Sequence, residues 1–320
     1  IIYSLISNLM FYSYGNFIKY EKTLNKTINI NERAIIGCIL LSFIALLVNF
    51  FIPLSEAFNT FLLLVGIIFL IFKKKNWTKK ETIFILFTSI VTSSLLIYSN
   101  VNRPDAGLYH LPYVSFLNEN KIVFGLTNIH FRFGTISIMQ YLSAINNNFF
   151  LKDIGVVIPL ASIATFFIYY FFLSVLEIFK KYNNININHV FSLFIIIFIS
   201  YKINRYSSFG NDAIAHLSFF YLVSKIIEKK DLNLPLIFLL AIFCFLNKTM
   251  MVVVLLIPLI FFLKKFQLKN FKLIFSMGGL LLILWIIKNI IISGCAVYPL
   301  KQSCIKNLHW IDIEEVKTQS

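Results

Sequence analysis

The residues best suited to chemistry in this chain lie in one polar interruption between apolar runs. Asp105, Tyr109 and His110 stand close together, and His130 and Arg132 follow later in the same interruption. A carboxylate can accept a proton from an attacking hydroxyl group or hold a divalent cation. A guanidinium group beside aromatic rings is a natural partner for phosphate oxygens. This interruption is therefore the first candidate for a catalytic or binding site.

A second set of polar residues follows later in the chain. Asp212 and His216 are spaced so that they share one face of a helix, and with Asp105 they are candidate ligands for a divalent metal. Lys248 stands at the junction of two apolar runs, where a charge is costly and tends to face a cavity. Lys288 lies near the end of a later run. Either lysine could meet a lipid phosphate, and extension of the side chain to the membrane surface explains Lys288 more easily than Lys248.

Structural interpretations of the same residues stay open. Asp105 and Asp212 could each cap the helix that follows, and Arg132 could extend along the membrane surface without binding a ligand. Cys295 and Cys304 flank a Tyr-Pro pair and are expected to form a disulfide in an oxidising compartment.

Composition determines which elements must position these groups. Hydrophobic residues make up 58% of the 320 residues and charged residues 13%, against about 25% charged in soluble domains. Long continuous apolar runs predict a polytopic α-helical membrane protein and not an outer-membrane barrel. The net charge of +15 is explained by lysine-rich cytoplasmic loops. No basic soluble module accompanies it, so nucleic acid is not an expected partner.

The apolar runs predict an all-α transmembrane bundle of about ten spans. They fall near residues 1–18, 34–54, 56–72, 82–98, 151–179, 187–204, 212–228, 233–247, 249–263 and 272–292. The short runs 233–247 and 249–263 are expected to form a hairpin. Most Lys and Arg residues fall in alternate short loops, which the positive-inside rule places in the cytoplasm.

This orientation places the polar groups on one outward face. Residues 99–150 form a long outward loop with short interfacial helices, of which 108–117 is one, and residues 293–320 form an outward C-terminal segment. We expect a single transmembrane domain over 1–320, and both ends of the chain are expected to be incomplete.

The order of these residues resembles the C-class integral-membrane glycosyltransferases (GT-C fold), which use polyprenyl-phosphate-linked sugars. The resemblance rests on Asp105, Tyr109, the 108–117 segment, Gly125 and the Arg132–Gly134 turn. It continues with the segment 208–212 and the junction 247–249. Residues 105–111 (DAGLYHL), 125–134 (GLTNIHFRFG) and 292–299 (ISGCAVYP) are similar to uncharacterised bacterial membrane proteins of surface-polysaccharide gene clusters. The acidic pair common in that superfamily is Asp-Ala here.

The resemblance implies a function and a set of roles. The chain would transfer a sugar from a polyprenyl-phosphate donor to a lipid, glycan or protein acceptor, in the bacterial cytoplasmic membrane and on its periplasmic face. Asp105 and Asp212 would be the catalytic carboxylates. Substrate-binding candidates are Tyr109, His110, His130, Arg132, Arg205, Asn211, His216 and Lys248. A divalent metal is possible, with Asp105, Asp212 and His216 as its candidate ligands, and no cofactor is certain.

Two other functions remain as alternatives. An O-antigen polymerase or ligase also places an arginine-bearing outward loop among many spans, and Arg132 would then matter more than Asp105. A transporter or flippase predicts broken helices with polar groups near the membrane midplane. The polar groups here fall at one face, which favours transfer over transport.

Overall fold

The computed structural model describes residues 1–18, 28–73, 77–99, 104–180, 185–203, 209–228, 234–264, 272–305, 307–311 and 313–319. Within these ranges the chain is all-helical. The α-helices are α1 (Ile2–Gly15), α2 (Ile30–Asn49), α3 (Glu56–Lys73), α4 (Lys79–Tyr98), α5 (Leu111–Glu119), α6 (Ile138–Ile145), α7 (Lys152–Lys180), α8 (Ile187–Tyr201), α9 (Asp212–Glu228), α10 (Leu234–Asn247), α11 (Leu256–Lys264), α12 (Lys272–Ser293) and α13 (Ile313–Gln319). A π-helical turn spans Ala106–His110, and short 3-10 helices span Leu126–Asn128, Phe131–Thr135, Thr249–Leu255 and Lys301–Ser303.

Helix boundaries follow from capping residues as well as from hydrophobicity. At the start of α2, Asn29 and Glu32 form a reciprocal capping box, in which each side chain accepts a hydrogen bond from the other's backbone N–H. Thr78 and Glu81 do the same at the start of α4. Such caps satisfy backbone N–H groups that have no partner inside the helix. Both helices therefore begin before the apolar runs that predicted them.

The structure confirms the all-helical prediction, but it contains fewer full-length apolar helices among the described residues than the ten predicted spans. Within the described residues α2, α4 and α7 are long and apolar enough to cross a membrane. Shorter apolar helices cover Glu56–Phe72, Ile187–Tyr201, Leu234–Asn247, Thr249–Phe261 and Met277–Ser293. Most of the lysines that set the predicted orientation lie outside the described residues. After Lys248 the chain turns back, and α11 packs against α10, as a hairpin requires.

One end of the bundle, here called the inner end, joins the starts of α2 and α4 to the end of α9. Glu32 accepts a hydrogen bond from the Tyr221 hydroxyl at 2.6 Å and lies 3.1 Å from the Lys225 ammonium. Glu81 likewise accepts a hydrogen bond from the Tyr12 hydroxyl. A buried carboxylate needs such partners because its desolvation is otherwise costly. The two capping glutamates thus also connect helices that are distant in sequence.

The opposite, outer end carries both segments that were predicted to face outward. The loop between α4 and α7 contains the π-helical turn, α5 and α6. The C-terminal segment packs on this loop: the Asn128 side-chain amide donates to the Trp310 carbonyl at 3.1 Å. A Cβ added at Gly134 would lie 2.5 Å from the Tyr298 ring. A disulfide joins Cys295 to Cys304 and closes the segment that carries Tyr298.

Lys288 does not have the exposed position expected of a lysine at a helix end. It lies in the last turns of α12 and is 0% exposed, so its side chain is enclosed by the protein itself. The sequence interpretation of Lys288 as an extended surface lysine is therefore wrong.

Helices α1 and α2 approach each other closely because two glycines face the contact. A Cβ added at Gly37 would lie 1.8 Å from the Phe11 carbonyl oxygen, and one added at Gly15 would lie 1.8 Å from the Arg33 carbonyl oxygen. Both neighbours are backbone atoms, which can move only if the helices separate. The pair of glycines therefore sets the distance between these helices.

Gly37→Ala is expected to lower the free energy of unfolding by at least about 1–3 kcal/mol, since the added methyl group overpacks the α1–α2 contact. Thermal unfolding of the detergent-solubilised protein measures this loss. Gly279→Ala is the matched control, because a Cβ there meets nothing within 4 Å and alanine is the better helix former. Equal stability of the two variants would contradict the close contact.

Candidate functional site

The π-helical turn brings Asp105 and Tyr109 together. Asp105 is exposed, directly precedes the turn and makes no side-chain capping hydrogen bond. Its carboxylate instead accepts a hydrogen bond from the Tyr109 hydroxyl. Burial, and then the Asp105 charge, raise the pKa of Tyr109 to about 12, so the phenol keeps its proton. The capping interpretation of the Asp105 side chain is therefore not supported.

Gln140, in the first turn of α6, connects three segments of the site. Its side-chain nitrogen lies 2.6 Å from His110 Nδ1 and 3.0 Å from Asn211 Oδ1. The Ser137 hydroxyl lies 2.6 Å from Gln140 Oε1, which orients the amide with its nitrogen toward His110. His110 Nδ1 then accepts a hydrogen bond, so the ring proton lies on Nε2.

His110 is a neutral group in this site. It is buried, and burial lowers its pKa to about 4, although the nearby carboxylates of Asp105 and Asp212 oppose the shift. The Phe209 ring meets it edge to face, with 6.1 Å between centroids. At neutral pH His110 is thus a hydrogen-bond donor through Nε2–H and carries no positive charge.

Asp212 and Lys248 form an ion pair between the start of α9 and the end of α10. Lys248 Nζ lies 2.5 Å from Asp212 Oδ1, and the side chains are 29% and 33% exposed. The Asp212 charge also acts on Tyr109 and His110, so this carboxylate belongs to the same cluster as Asp105. The pair is accessible enough for a ligand to reach either partner.

Arg132 lies over aromatic rings at the edge of the cluster. Its guanidinium carbon is 5.7 Å from the centroid of the Tyr109 ring and 5.1 Å from that of Phe131. The Arg132 backbone N–H donates to His130 Nδ1 at 3.1 Å, and the His130 ring stacks on Phe131. The side chain of Arg132 is exposed. Its charge is therefore held in place by ring faces while its N–H groups can still bind a ligand.

Most of the residues predicted for the site lie in this cluster. Those that the structure connects to one another are Asp105, Tyr109, His110, His130, Arg132, Asn211, Asp212 and Lys248. His216 follows Asp212 by one turn of α9 and is partly buried. Arg205 lies outside the described residues.

Three members of the cluster were not predicted from the sequence: Ser137, Gln140 and Phe209. Ser137 and Gln140 have the Ser-x-x-Gln spacing of a capping box, which was the available signal for a helix start. Their role in holding His110 depends on a tertiary contact that no local pattern records. Phe209 carries no signal beyond its hydrophobicity.

Comparison with known families decides where the chain belongs. A family model described as Domain of unknown function (DUF8201) matches residues 1–318. The chain belongs to this family. Comparison with curated proteins and with solved structures finds no match. Membership in DUF8201 covers the helices of both ends and the cluster alike, and it assigns no activity.

The metal-ligand candidates in this DUF8201 chain do not form a three-residue group. Among the residues that the structure describes, no three His, Cys, Asp or Glu side chains are arranged to hold a metal ion. Asp105 and Asp212 act on the same neighbours, but Asp212 is engaged with Lys248. Among the described residues this carboxylate thus forms an ion pair with a lysine.

The stability of the folded protein should decrease at acidic pH because His110 is neutral in the folded state. Its pKa in the folded state is about 4, below about 6.5 in an unfolded chain. The unfolded state therefore binds the proton first as the pH falls. The stabilising contribution is complete above about pH 6.5 and should fall by about 3 kcal/mol by pH 4.

Chemical unfolding from pH 7 to pH 4 measures this effect. His110→Gln should be less acid-sensitive than the native chain, whereas His309→Gln, at an exposed histidine, should leave the pH dependence unchanged. A native chain and a His110→Gln variant with parallel pH profiles would show that His110 is not held neutral.

Proposed function

We propose that the chain is a GT-C-like membrane glycosyltransferase that transfers a sugar from a polyprenyl-phosphate donor to a lipid, glycan or protein acceptor in cell-envelope polysaccharide assembly. The observation that carries this proposal is the convergence of two carboxylates and two cations around a neutral histidine. These are Asp105, Asp212, Arg132, Lys248 and His110, and they lie at one end of an apolar helical bundle.

The two cations suit the phosphate of the donor. Arg132 is exposed and fixed against ring faces, which favours bidentate binding of an oxyanion. Lys248 is already positioned by Asp212, and a phosphate can join or replace that carboxylate as its partner. The polyprenyl chain would then lie against the apolar helices that end at this site.

The carboxylates suit the acceptor hydroxyl. Asp105 is exposed, and its carboxylate accepts a hydrogen bond from the Tyr109 hydroxyl. An exposed carboxylate of this kind can receive the proton of an attacking hydroxyl group as a general base. The superfamily's usual acidic pair is interrupted here by Ala106. Asp212, which acts on the same two residues, is the second carboxylate of the proposed site.

The leaving group requires little acid catalysis. A departing phosphate carries its own negative charge, so stabilisation by fixed cations and hydrogen-bond donors suffices. Arg132, Lys248 and the Nε2–H group of His110 are the donors in this proposal. No residue of the cluster has to act as a strong general acid.

The proposed setting is the bacterial cytoplasmic membrane, which the chain crosses about ten times, with the outer end on the periplasmic face. Three apolar helices of full length and the alternation of lysine-rich loops along the sequence support this arrangement. A lipid-linked donor fits a site at the end of such helices, because its sugar phosphate would lie at the level of the lipid headgroups.

Asp105→Asn should abolish sugar transfer, with a loss of at least about 100-fold, the usual contribution of a general base. Purified protein in liposomes would be given a panel of short-chain polyprenyl-phosphate sugars together with a bacterial envelope extract that supplies lipid, glycan and protein acceptors, and release of polyprenyl phosphate would be measured. The amount of protein inserted in the membrane should not change.

Asp153→Asn provides the matched control, since Asp153 is an exposed carboxylate in the first turn of α7 and makes no contact with the cluster that the proposal uses. It should retain full activity. Native-level transfer by Asp105→Asn would rule out the assigned role.

A polymerase or ligase that acts on lipid-linked glycans is the second candidate, favoured by the exposed Arg132 on its aromatic platform. The two alanine variants discriminate between the candidates. For the glycosyltransferase, Asp105→Ala should eliminate kcat, and Arg132→Ala should mainly raise the KM for the donor. A greater loss of kcat in Arg132→Ala than in Asp105→Ala would favour the polymerase or ligase.

A further inference from the structure

Lys288 is a buried lysine that the proposed transfer reaction does not use. Its side chain is 0% exposed, and its ammonium nitrogen has no hydrogen-bond partner among the described residues. An ammonium group removed from water without an anionic partner is among the costliest groups a protein can bury. A ligand that carries negative charge would lower this cost.

Trp285 lies beside Lys288 and lacks an acceptor as well. Lys288 Nζ is 5.1 Å from the centroid of the Trp285 ring, and the buried indole Nε1–H has no hydrogen-bond partner. The ring face stabilises the charge in part, but it accepts no conventional hydrogen bond. A ligand that carries several acceptor oxygens can therefore bond to both neighbouring donors.

The depth of Lys288 follows from the packing of α10 against α12. A Cβ added at Gly278 would lie 2.9 Å from the Phe238 ring, and the rings of Phe245 and Trp285 are 5.5 Å apart. Both contacts have the same offset in residue number, so the two helices run parallel. With the same offset Lys288 lies level with Lys248, at the outer end of the bundle.

The surroundings of Lys288 are closed by the outer segments. The Gly125 N–H donates to the Ile291 carbonyl at 3.0 Å, and the Thr127 hydroxyl donates to the Ile292 carbonyl at 3.1 Å. The turn that contains these residues therefore covers the last turn of α12. A ligand would reach Lys288 when this turn separates from the helix end.

We propose that Lys288 and Trp285 form a phosphate-binding site, separate from the Asp212–Lys248 pair. The ammonium group lies off the ring face, whereas the indole N–H lies in the ring plane. A tetrahedral oxyanion presents oxygens in several directions and can bond to both donors. A phosphate also supplies a negative charge to pair with the Lys288 ammonium group. The phosphate belongs either to a lipid or to a free ion.

Trp285 allows the site to be tested by fluorescence. Trp77→Phe and Trp310→Phe together leave Trp285 as the one tryptophan of the chain, which contains three. The full chain in neutral detergent is titrated with inorganic phosphate and, separately, with farnesyl phosphate at constant ionic strength. Either probe should produce a saturable change in Trp285 emission, and sodium acetate should produce none.

Substitutions assign the response to Lys288. Lys288→Met should weaken phosphate binding at least 10-fold, and it should fold, since an apolar side chain of similar size replaces an unpaired buried charge. Circular dichroism and thermal unfolding verify the fold. Lys121→Met, at an exposed lysine, should change the dissociation constant less than 3-fold.

Each outcome is decisive. At least 10-fold tighter binding of farnesyl phosphate than of inorganic phosphate assigns the site to a phosphate on a lipid, and similar affinities assign it to free phosphate. No saturable response, an equal response to acetate, or an unchanged response in folded Lys288→Met would overturn the proposal. Because the test measures binding and not transfer, it holds or fails independently of the proposed function.

Discussion

The side-chain amide of Gln140 is the junction on which the geometry of the outer end depends. Its oxygen lies against Ser137, and its nitrogen lies between His110 and Asn211. It thereby fixes α6, the π-helical turn and the start of α9 relative to one another. Both polar atoms of this amide are hydrogen-bonded. A buried network of this kind requires a specific geometry, and a substitution that leaves one of its polar groups without a partner is costly.

The two ends of the bundle use acidic residues in different ways. At the inner end Glu32 and Glu81 are buried. They cap helices and accept hydrogen bonds from tyrosines, so their carboxylates stabilise the fold. At the outer end Asp105 is exposed and Asp212 is partly exposed. A ligand can reach both carboxylates, although Asp212 pairs with Lys248, and the outer end is therefore the better place for chemistry.

The sequence predicted the helices well because each apolar run is long enough to define its own secondary structure. It also predicted which polar residues are near the site, since their order along the chain places them at one end. It did not predict which groups pair. Three features arise from segments that are far apart in sequence and meet only in the folded chain. They are the Lys248–Asp212 contact, the hydrogen bonds of Gln140 and the burial of Lys288. The number of full-length spans differed because apolar runs do not reveal where a helix ends.

The π-helical turn at Ala106–His110 makes the site sensitive to chain length in a way that side-chain identity is not. A π-helical turn closes hydrogen bonds one residue further along than an α-helix does. Deleting one residue between Asp105 and Tyr109 would restore α-helical geometry and leave the two residues three positions apart instead of four. The hydrogen bond between the carboxylate and the phenol would then have to form at a different offset along the helix. The register of the backbone, and not only its composition, is therefore part of the site.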